Sequence, residues 1–382
     1  MEHLAMSLEE QLVLRCVHSV IMDVPLGEPP SVDWEQVFVL GETNRLIPIL
    51  HSTLPAGSLP DEWVSRFERS ARRQRMRVAV MIEEFQNIHA EFALAGIQVI
   101  PIKGVALSQQ IYPSPSMRYF DDLDLLVQAD AGQDALAVLE KMGYEAHPNA
   151  PRADWHHLTP FIHRKRGTMV EIHLDLIRRA GQGWGINEIW NRSKTGVLGE
   201  VTTRLLSNED ALIFSALHAR HNLFNRLSFM LDNVLLAYTL DLADQSQASI
   251  SVLAEDAGAI CALEYTIKRA GRLFSIENLP EFGCNTTRLW IANRIVSWNS
   301  LAPNNATLKQ GPLPRILELL LMDSARDSMS MAARLAAPPR TFIAAESDDR
   351  RGTIRSYFNR LHLRTKQAFR QLSQIVRGRK SN

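Results

Sequence analysis

Apolar positions recur at helical spacing through the first ninety residues. Ser7 and Glu10 are spaced as a capping box ahead of QLVLRCVHSVI, so a helix is expected from about residue 8. A Pro- and Gly-containing stretch from Pro25 to Pro30 ends it. Asp33 opens a second helix that should run to about His51. Pro60 starts a third, in which Val78, Met81, Phe85, Ile88 and Phe92 fall on one face.

After Gly96 the period changes. IQVIPI (97–102) is short, apolar and partly β-branched, and reads as a strand that ends at Lys103-Gly104. GVALSQQIY reads as a helix stopped by Pro113 and Pro115, and DLDLLV (122–127) as a second strand. A helix from about Ala131 to Met142, closed by Gly143, comes next. TPFIHR and TMVEIHLDL then flank the turn KRG as a hairpin. From Ser207, with Asp210 three residues on, the pattern is helical again, and ALIFSALHARHNLF carries the apolar face. Weaker helical patterns fill 226–300 and 313–335. Residues 338–352 read as a linker and 353–378 as a basic helix. There is no internal repeat.

Composition narrows the class. Hydrophobic residues make up 46% of the chain and charged residues 22%, which places it among globular proteins rather than disordered ones. Lys+Arg and Asp+Glu number 42 each, but ten of the basic residues lie from Arg350 onward, where there is no acid. The first 349 residues therefore hold 32 basic against 42 acidic residues, an acidic body with a basic tail. Cys16, Cys261 and Cys284 are few and far apart, with no CxxC, so neither a disulfide framework nor a zinc ribbon is expected. The start, MEHLAMSLEE, lacks a basic-then-apolar signal, and no apolar run reaches the roughly 18 residues of a membrane span. These features read as a cytoplasmic protein.

The chemistry centres on Asp122-Leu123-Asp124. Strand side chains alternate, so the two aspartates share one face while Leu123, Leu125 and Val127 turn to a core. Adjacent carboxylates repel, and a cation relieves them; hard oxygen donors favour Mg²⁺, which also binds substrate phosphates. In VEIHL (170–174), Glu171 and His173 share a face, and if this strand lies beside the first, Glu171 completes a three-carboxylate cluster able to hold one or two Mg²⁺. Alone, each pattern is more readily a surface decoration than a metal site. His173 either orients a carboxylate, contacts an acceptor, or packs as a hydrogen-bonded neighbour, the reading favoured here. His218 and His221, three apart on a helix without HExxH, read as helix packing. Asp121 has the wrong strand parity and reads as a loop or capping residue. Asp232 sits on an apolar helix, which calls for a partner such as an arginine. Arg66, Arg69, Arg73 and Arg77 line one helix face, with Arg72 and Arg75 beside it. That face is a solvated surface or, less favoured, an anion-steering one. The basic tail could likewise meet nucleic acid, an anionic membrane surface or an acidic partner, or no fixed partner at all.

The combination IPIKGVALSQQIYPSPSMRYFDDLDLLV, then a helix ending in Gly143-Tyr144, then MVEIHLDL, resembles the uncharacterised bacterial nucleotidyltransferase family of the polymerase-β-like superfamily. Members show a Leu-Lys-Gly turn, an Arg before an Asp-x-Asp-Leu-Leu-Val strand, and a Glu-x-His strand. Here these fall on Lys103-Gly104, Arg118, Asp122-Asp124 and Glu171-His173. The segments 33–54 and 218–237 are similar to its flanking helices, so the resemblance covers about 33–240. It implies an α+β fold, with a small mixed sheet between helical regions. The divisions are an N-terminal helical region (1–95), a core (96–206), a C-terminal helical domain (207–337), and a linker with tail (338–382). It further implies that Asp122 and Asp124 hold the Mg²⁺ carrying a nucleoside triphosphate, and that Glu171 helps hold a second and lowers the pKa of an acceptor hydroxyl. Lys103, Gly104 and Arg118 would meet the phosphates. The acceptor is open: a protein, a peptide or a small molecule, with nucleic acid less favoured. The chain departs from the superfamily pattern in having Val105 where a hydroxyl usually touches phosphate, and in a longer gap from Gly104 to Asp122. The rival reading is therefore a catalytically inactive binding or regulatory protein of the same fold.

Overall fold

A computed structural model describes residues 6–148, 157–177, 184–240, 244–284 and 286–295, with 319, 321–323 and 328–329. Most of the helical pattern expected over 313–335, and all of the linker and basic tail, lie outside the described residues. Helix α1 (Leu8–Met22) begins with the expected capping box: the Glu10 N–H donates to Ser7 Oγ, and the Ser7 N–H to Glu10 Oε2. Helix α2 (Trp34–Thr43) is capped by Asp33 but stops well short of His51, and α3 (Ile47–Thr53) resumes after a break. Pro48 is the cause. It has no N–H to give the Asn44 carbonyl, and its ring excludes that carbonyl from a continuous helix. Arg45 takes the left-handed conformation (φ 59°) to make the bend. Helix α4 (Asp61–Leu94) buries Val78, Met81, Phe85, Ile88 and Phe92 as the spacing predicts.

The core sheet is formed by β1 (Val99–Ile102), β2 (Asp122–Val127), β3 (Tyr144–Ala146), β4 (Phe161–His163) and β5 (Met169–His173), in the order β1-β2-β5-β4-β3. Strands β2 and β5 run parallel and the other pairs antiparallel, so the sheet is mixed. The expected hairpin is β4–β5. The short edge strand β3, just after Gly143, was not expected. Helices α5 (Gly104–Gln110) and α6 (Gly132–Lys141) connect the strands. Alternation divides the two faces. Leu123, Leu125, Val127, Val170 and Ile172 pack with the α4 residues and with Ala135 and Leu139 of α6. Ile100, Ile102 and Leu126 pack on the other face against the C-terminal helices.

The C-terminal helices are α7 (Ile186–Arg192), α8 (Asn208–His221), α9 (Leu227–Thr239), α10 (Asp244–Asp256), α11 (Ile260–Phe274) and α12 (Thr286–Ile295), of which α12 packs instead into the core shared with α1–α3. A hairpin of β6 (Lys194–Leu198) and β7 (Val201–Leu205), for which the pattern gave no expectation, docks beside β1 through a hydrogen bond from Thr203 Oγ1 to the Val99 carbonyl. Ser207 caps α8 as expected. Its hydroxyl accepts from the Asp210 N–H, and the Asp210 carboxylate takes hydrogen bonds from Trp184, Arg192 and Ser207.

One expectation is overturned. Cys261 and Cys284 form a disulfide, with their Cα atoms 4.9 Å apart, across 23 residues of sequence. The start of α11 and the loop before α12 meet, a tertiary proximity that cysteine spacing does not encode. Cys16 is free and buried. Among the described residues no helix is long and apolar enough to cross a membrane.

Candidate active site

Strand register brings the acids together. Asp124 pairs with Glu171 across the parallel β2–β5 ladder, and His173 lies two residues farther along on the same face. The ligand atoms of Asp124, Glu171 and His173 all fall within 4.8 Å of one another. Asp124 is buried deepest, at 2% exposure. Its Oδ1 accepts from Lys103 Nζ (2.6 Å) and bonds His173 Nε2 (2.9 Å). His173 Nε2 is also 3.6 Å from Glu171 Oε2, so the ring is hydrogen-bonded and oriented between two carboxylates. Asp122 lies two residues before Asp124 on the same strand face, half-buried at the open end of β2 and outside that 4.8 Å group.

The electrostatics of the two aspartates diverge. Burial works against a charge on Asp124, but the Lys103 ammonium and the His173 hydrogen bond outweigh it and hold the carboxyl below the usual range. Burial, then the charge of Asp124, push Asp122 the other way, to about 6, against the pull of Lys103. Asp122 thus carries the strain of a cluster with more carboxylates than cations. The carboxylates of Asp124 and Glu171, with that of Asp122 beside them, are hard oxygen donors that suit a divalent ion, while the His173 Nε2–H is given to Asp124.

Lys103 reaches Asp124 from a turn that is itself unusual. Its backbone is at φ 54°, and Gly104 follows beneath Phe120, where a Cβ would sit 2.6 Å from the Phe120 Cβ and Cγ. The glycine is required by this packing, whatever it offers to a phosphate. Behind Lys103, between β1 and α8, lies a cavity of about 20 Å³, far below the few hundred Å³ of a ligand pocket.

Arg118 and Asp232 meet each other. Arg118 Nε donates to Asp232 Oδ1 (3.0 Å) and Nη2 to Oδ2 (2.7 Å), while Tyr112 Oη donates to the same Oδ1 (2.7 Å). This buried fork answers the partner question posed by Asp232 and ties α9 to the segment before β2. Arg118 Nη1 donates to the Tyr119 carbonyl. Asp121 precedes the strand and is paired with Arg45 at 3.1 Å. His218 packs edge-on against Phe229, and burial lowers its pKa well below the usual histidine range, so it acts as a neutral packing residue. The arginine face of α4 divides. Arg66 stacks on Phe38 and Trp63, Arg73 meets Glu42, and Arg77 donates to the carbonyls of Asp121 and Gly167, leaving Arg69 and Arg72 exposed. The grouping of Arg45 and Arg77 around Asp121 went unseen in the sequence, because it depends on the α2–α3 break.

Several solved structures are similar to this chain. The solution structure of the antibiotic-resistance factor ANT(2'')-Ia is 15% identical with a TM-score of 0.35, over 46% of this chain and 90% of that one. The crystal structure of ANT(2")-Ia in complex with adenylyl-2"-tobramycin is 14% identical with a TM-score of 0.35, over 46% and 98%. An antigenic nucleotidyltransferase-like protein from Paracoccidioides brasiliensis is 13% identical with a TM-score of 0.28, over 55% and 94%. No curated protein matches the sequence. A family model described as "Uncharacterised nucleotidyltransferase" matches residues 30–275, well over half of the chain and spanning both the sheet and the helices that pack on it. The chain belongs to the uncharacterised nucleotidyltransferase family.

Proposed function

We propose that this protein is a Mg²⁺-dependent nucleotidyltransferase that moves a nucleoside monophosphate from a nucleoside triphosphate to a hydroxyl of a protein, peptide or small molecule. The observation that carries the reading is the Asp124–Glu171 pairing across parallel strands, with Lys103 and His173 fixed on the inner carboxylate. In the reaction the acceptor oxygen bonds the α-phosphorus and the bond to the α–β bridging oxygen breaks. Pyrophosphate leaves with the electron pair, and the hydroxyl proton passes to solvent. Asp122, Asp124 and Glu171 would hold Mg²⁺, which supplies charge neutralisation at the phosphates and a lower pKa at the acceptor hydroxyl. Lys103 holds positive charge at the inner end of the cluster, where negative charge develops during transfer. His173 positions Asp124 from the second strand. Gly104 keeps the Lys103 turn against Phe120, so the ammonium is delivered from a rigid loop.

The test is calorimetry with ATP, GTP, CTP and UTP, with and without Mg²⁺, on the wild type and an Asp122→Asn/Asp124→Asn double variant. Metal-dependent binding by the wild type that disappears in the double variant is expected. A folded wild type that binds none of the four would replace this reading with a non-catalytic binding or regulatory protein of the same fold.

A further inference from the structure

The connection between α8 and α9 is a strained loop with a purpose to be explained. Leu223 and Phe224 both take the left-handed conformation, at φ 57° and 53°, which branched and bulky residues avoid. Packing holds them there. Phe224 is buried against Tyr265 with ring centroids 4.7 Å apart, and the next turn is pinned where the Leu227 N–H donates to Asn44 Oδ1 (3.0 Å). What this loop delivers is Arg226, extended (φ −141°, ψ 136°) at the start of α9, with its guanidinium 5.8 Å from the centroid of the Phe229 ring.

Arg226 is linked to the acid site through its chain neighbours. The Asn44 that pins Leu227 is followed by Arg45, which pairs with Asp121, which precedes Asp122. The charged groups acting on Arg226 are those same neighbours: Arg45, Asp121, Asp122 and Arg118. Among the described residues, four other cations around the acids are engaged. Lys103 is on Asp124, Arg118 on Asp232, Arg45 on Asp121, and Arg77 on two backbone carbonyls. Arg226 is half-buried, and among the described residues its guanidinium makes no hydrogen bond or ion pair. A half-desolvated fork of donors with no carboxylate bonded to it among the described residues is suited to an anion that arrives from outside.

We propose that Arg226 is a substrate-binding residue that takes the β- and γ-phosphates of the nucleotide donor, and hence the departing pyrophosphate. This rests on the nucleotidyltransferase reading above. It moves to Arg226 the phosphate contact that the family resemblance implies for Arg118, whose donors are held by Asp232 and the Tyr119 carbonyl. A planar fork matches adjacent phosphate oxygens two at a time.

Calorimetry with tripolyphosphate and Mg²⁺ tests it, with Arg226→Ala, Arg226→Gln and Arg226→Lys beside an exposed-charge control, Arg69→Ala. Arg226→Ala and Arg226→Gln should weaken tripolyphosphate binding roughly 10–100-fold, Arg226→Lys by less, and Arg69→Ala by under about twofold. Whichever nucleoside triphosphate binds the wild type should weaken in parallel, while its monophosphate binds all variants alike. The glutamine variant keeps a long polar stem beside Phe229, which guards against loss of folding, and thermal melts check this. Undiminished tripolyphosphate binding in a folded Arg226→Gln, or an equal loss in Arg69→Ala, overturns the proposal. If the wild type binds no triphosphate at all, the nucleotidyltransferase reading falls first. If it does, and only the Asp122/Asp124 variant loses it, this inference alone falls.

Discussion

The molecule buries carboxylates in two ways. In the helical half, Asp210 and Asp232 each have a guanidinium fork of their own, from Arg192 and Arg118, and further hydrogen bonds from Trp184, Ser207 or Tyr112. At the sheet, three carboxylates (Asp122, Asp124 and Glu171) share one ammonium and one imidazole, and most of that help is concentrated on Asp124. The first arrangement is closed: each charge is matched within the chain and nothing is left for a ligand. The second is open, and the excess falls on Asp122, whose carboxyl is raised to about 6. Burial alone therefore does not mark a functional acid. The mark is a charge count that the chain leaves unbalanced at a place where it has fixed the geometry.

The largest effect should come from opening a closed pair. Asp232→Ala leaves the Arg118 guanidinium buried without its carboxylate and should cost about 3–5 kcal/mol in urea denaturation. A cost below about 1 kcal/mol would erase the distinction, since Asp232 would then be no anchor. The opposite is expected at the open cluster. Glu171→Gln should lower Mg²⁺ affinity at least about tenfold in calorimetry, with the thermal midpoint almost unchanged, because Glu171 is partly exposed and approaches His173 only at 3.6 Å. A large loss of stability with metal affinity intact would make Glu171 a structural acid like Asp210.

How far these regions were legible beforehand follows from the range of the interactions involved. Strand alternation is local, so the shared face of Asp122 and Asp124, and that of Glu171 and His173, could be read directly from the sequence. That the two strands are neighbours, with Asp124 opposite Glu171, came only as a condition, because register is a tertiary fact. Asp232 announced its need for a partner by sitting on an apolar helix. Which arginine answered is not encoded locally: it is Arg118, for which the family resemblance implies a phosphate contact. Pro48 was a visible signal for the α2–α3 break and was outweighed by the surrounding helical periodicity. The Cys261–Cys284 bridge and the placement of Arg226 had no local signal, since both depend on loops brought together by packing.

The smallest effect is the sharpest test of the open cluster, because its sign is opposite to that of most substitutions. Asp122 titrates near 3.8 when unperturbed and at about 6 in the folded protein, so between those values the native state binds more protons than the unfolded one. Stability must then fall as pH rises across that window and stay lower above it. Asparagine removes the charge and with it the penalty. Asp122→Asn should therefore be more stable than the wild type at pH 7.5, and the difference should fade below about pH 4. A shift of this size corresponds to about 3 kcal/mol at full burial, and partial exposure reduces the expectation to about 1–2 kcal/mol. Saturating Mg²⁺ should narrow the gap by supplying the wild type with the charge it lacks. An Asp122→Asn variant that is less stable at pH 7.5 would mean that Asp122 is already balanced by its neighbours, and the contrast between open and closed carboxylates would end there.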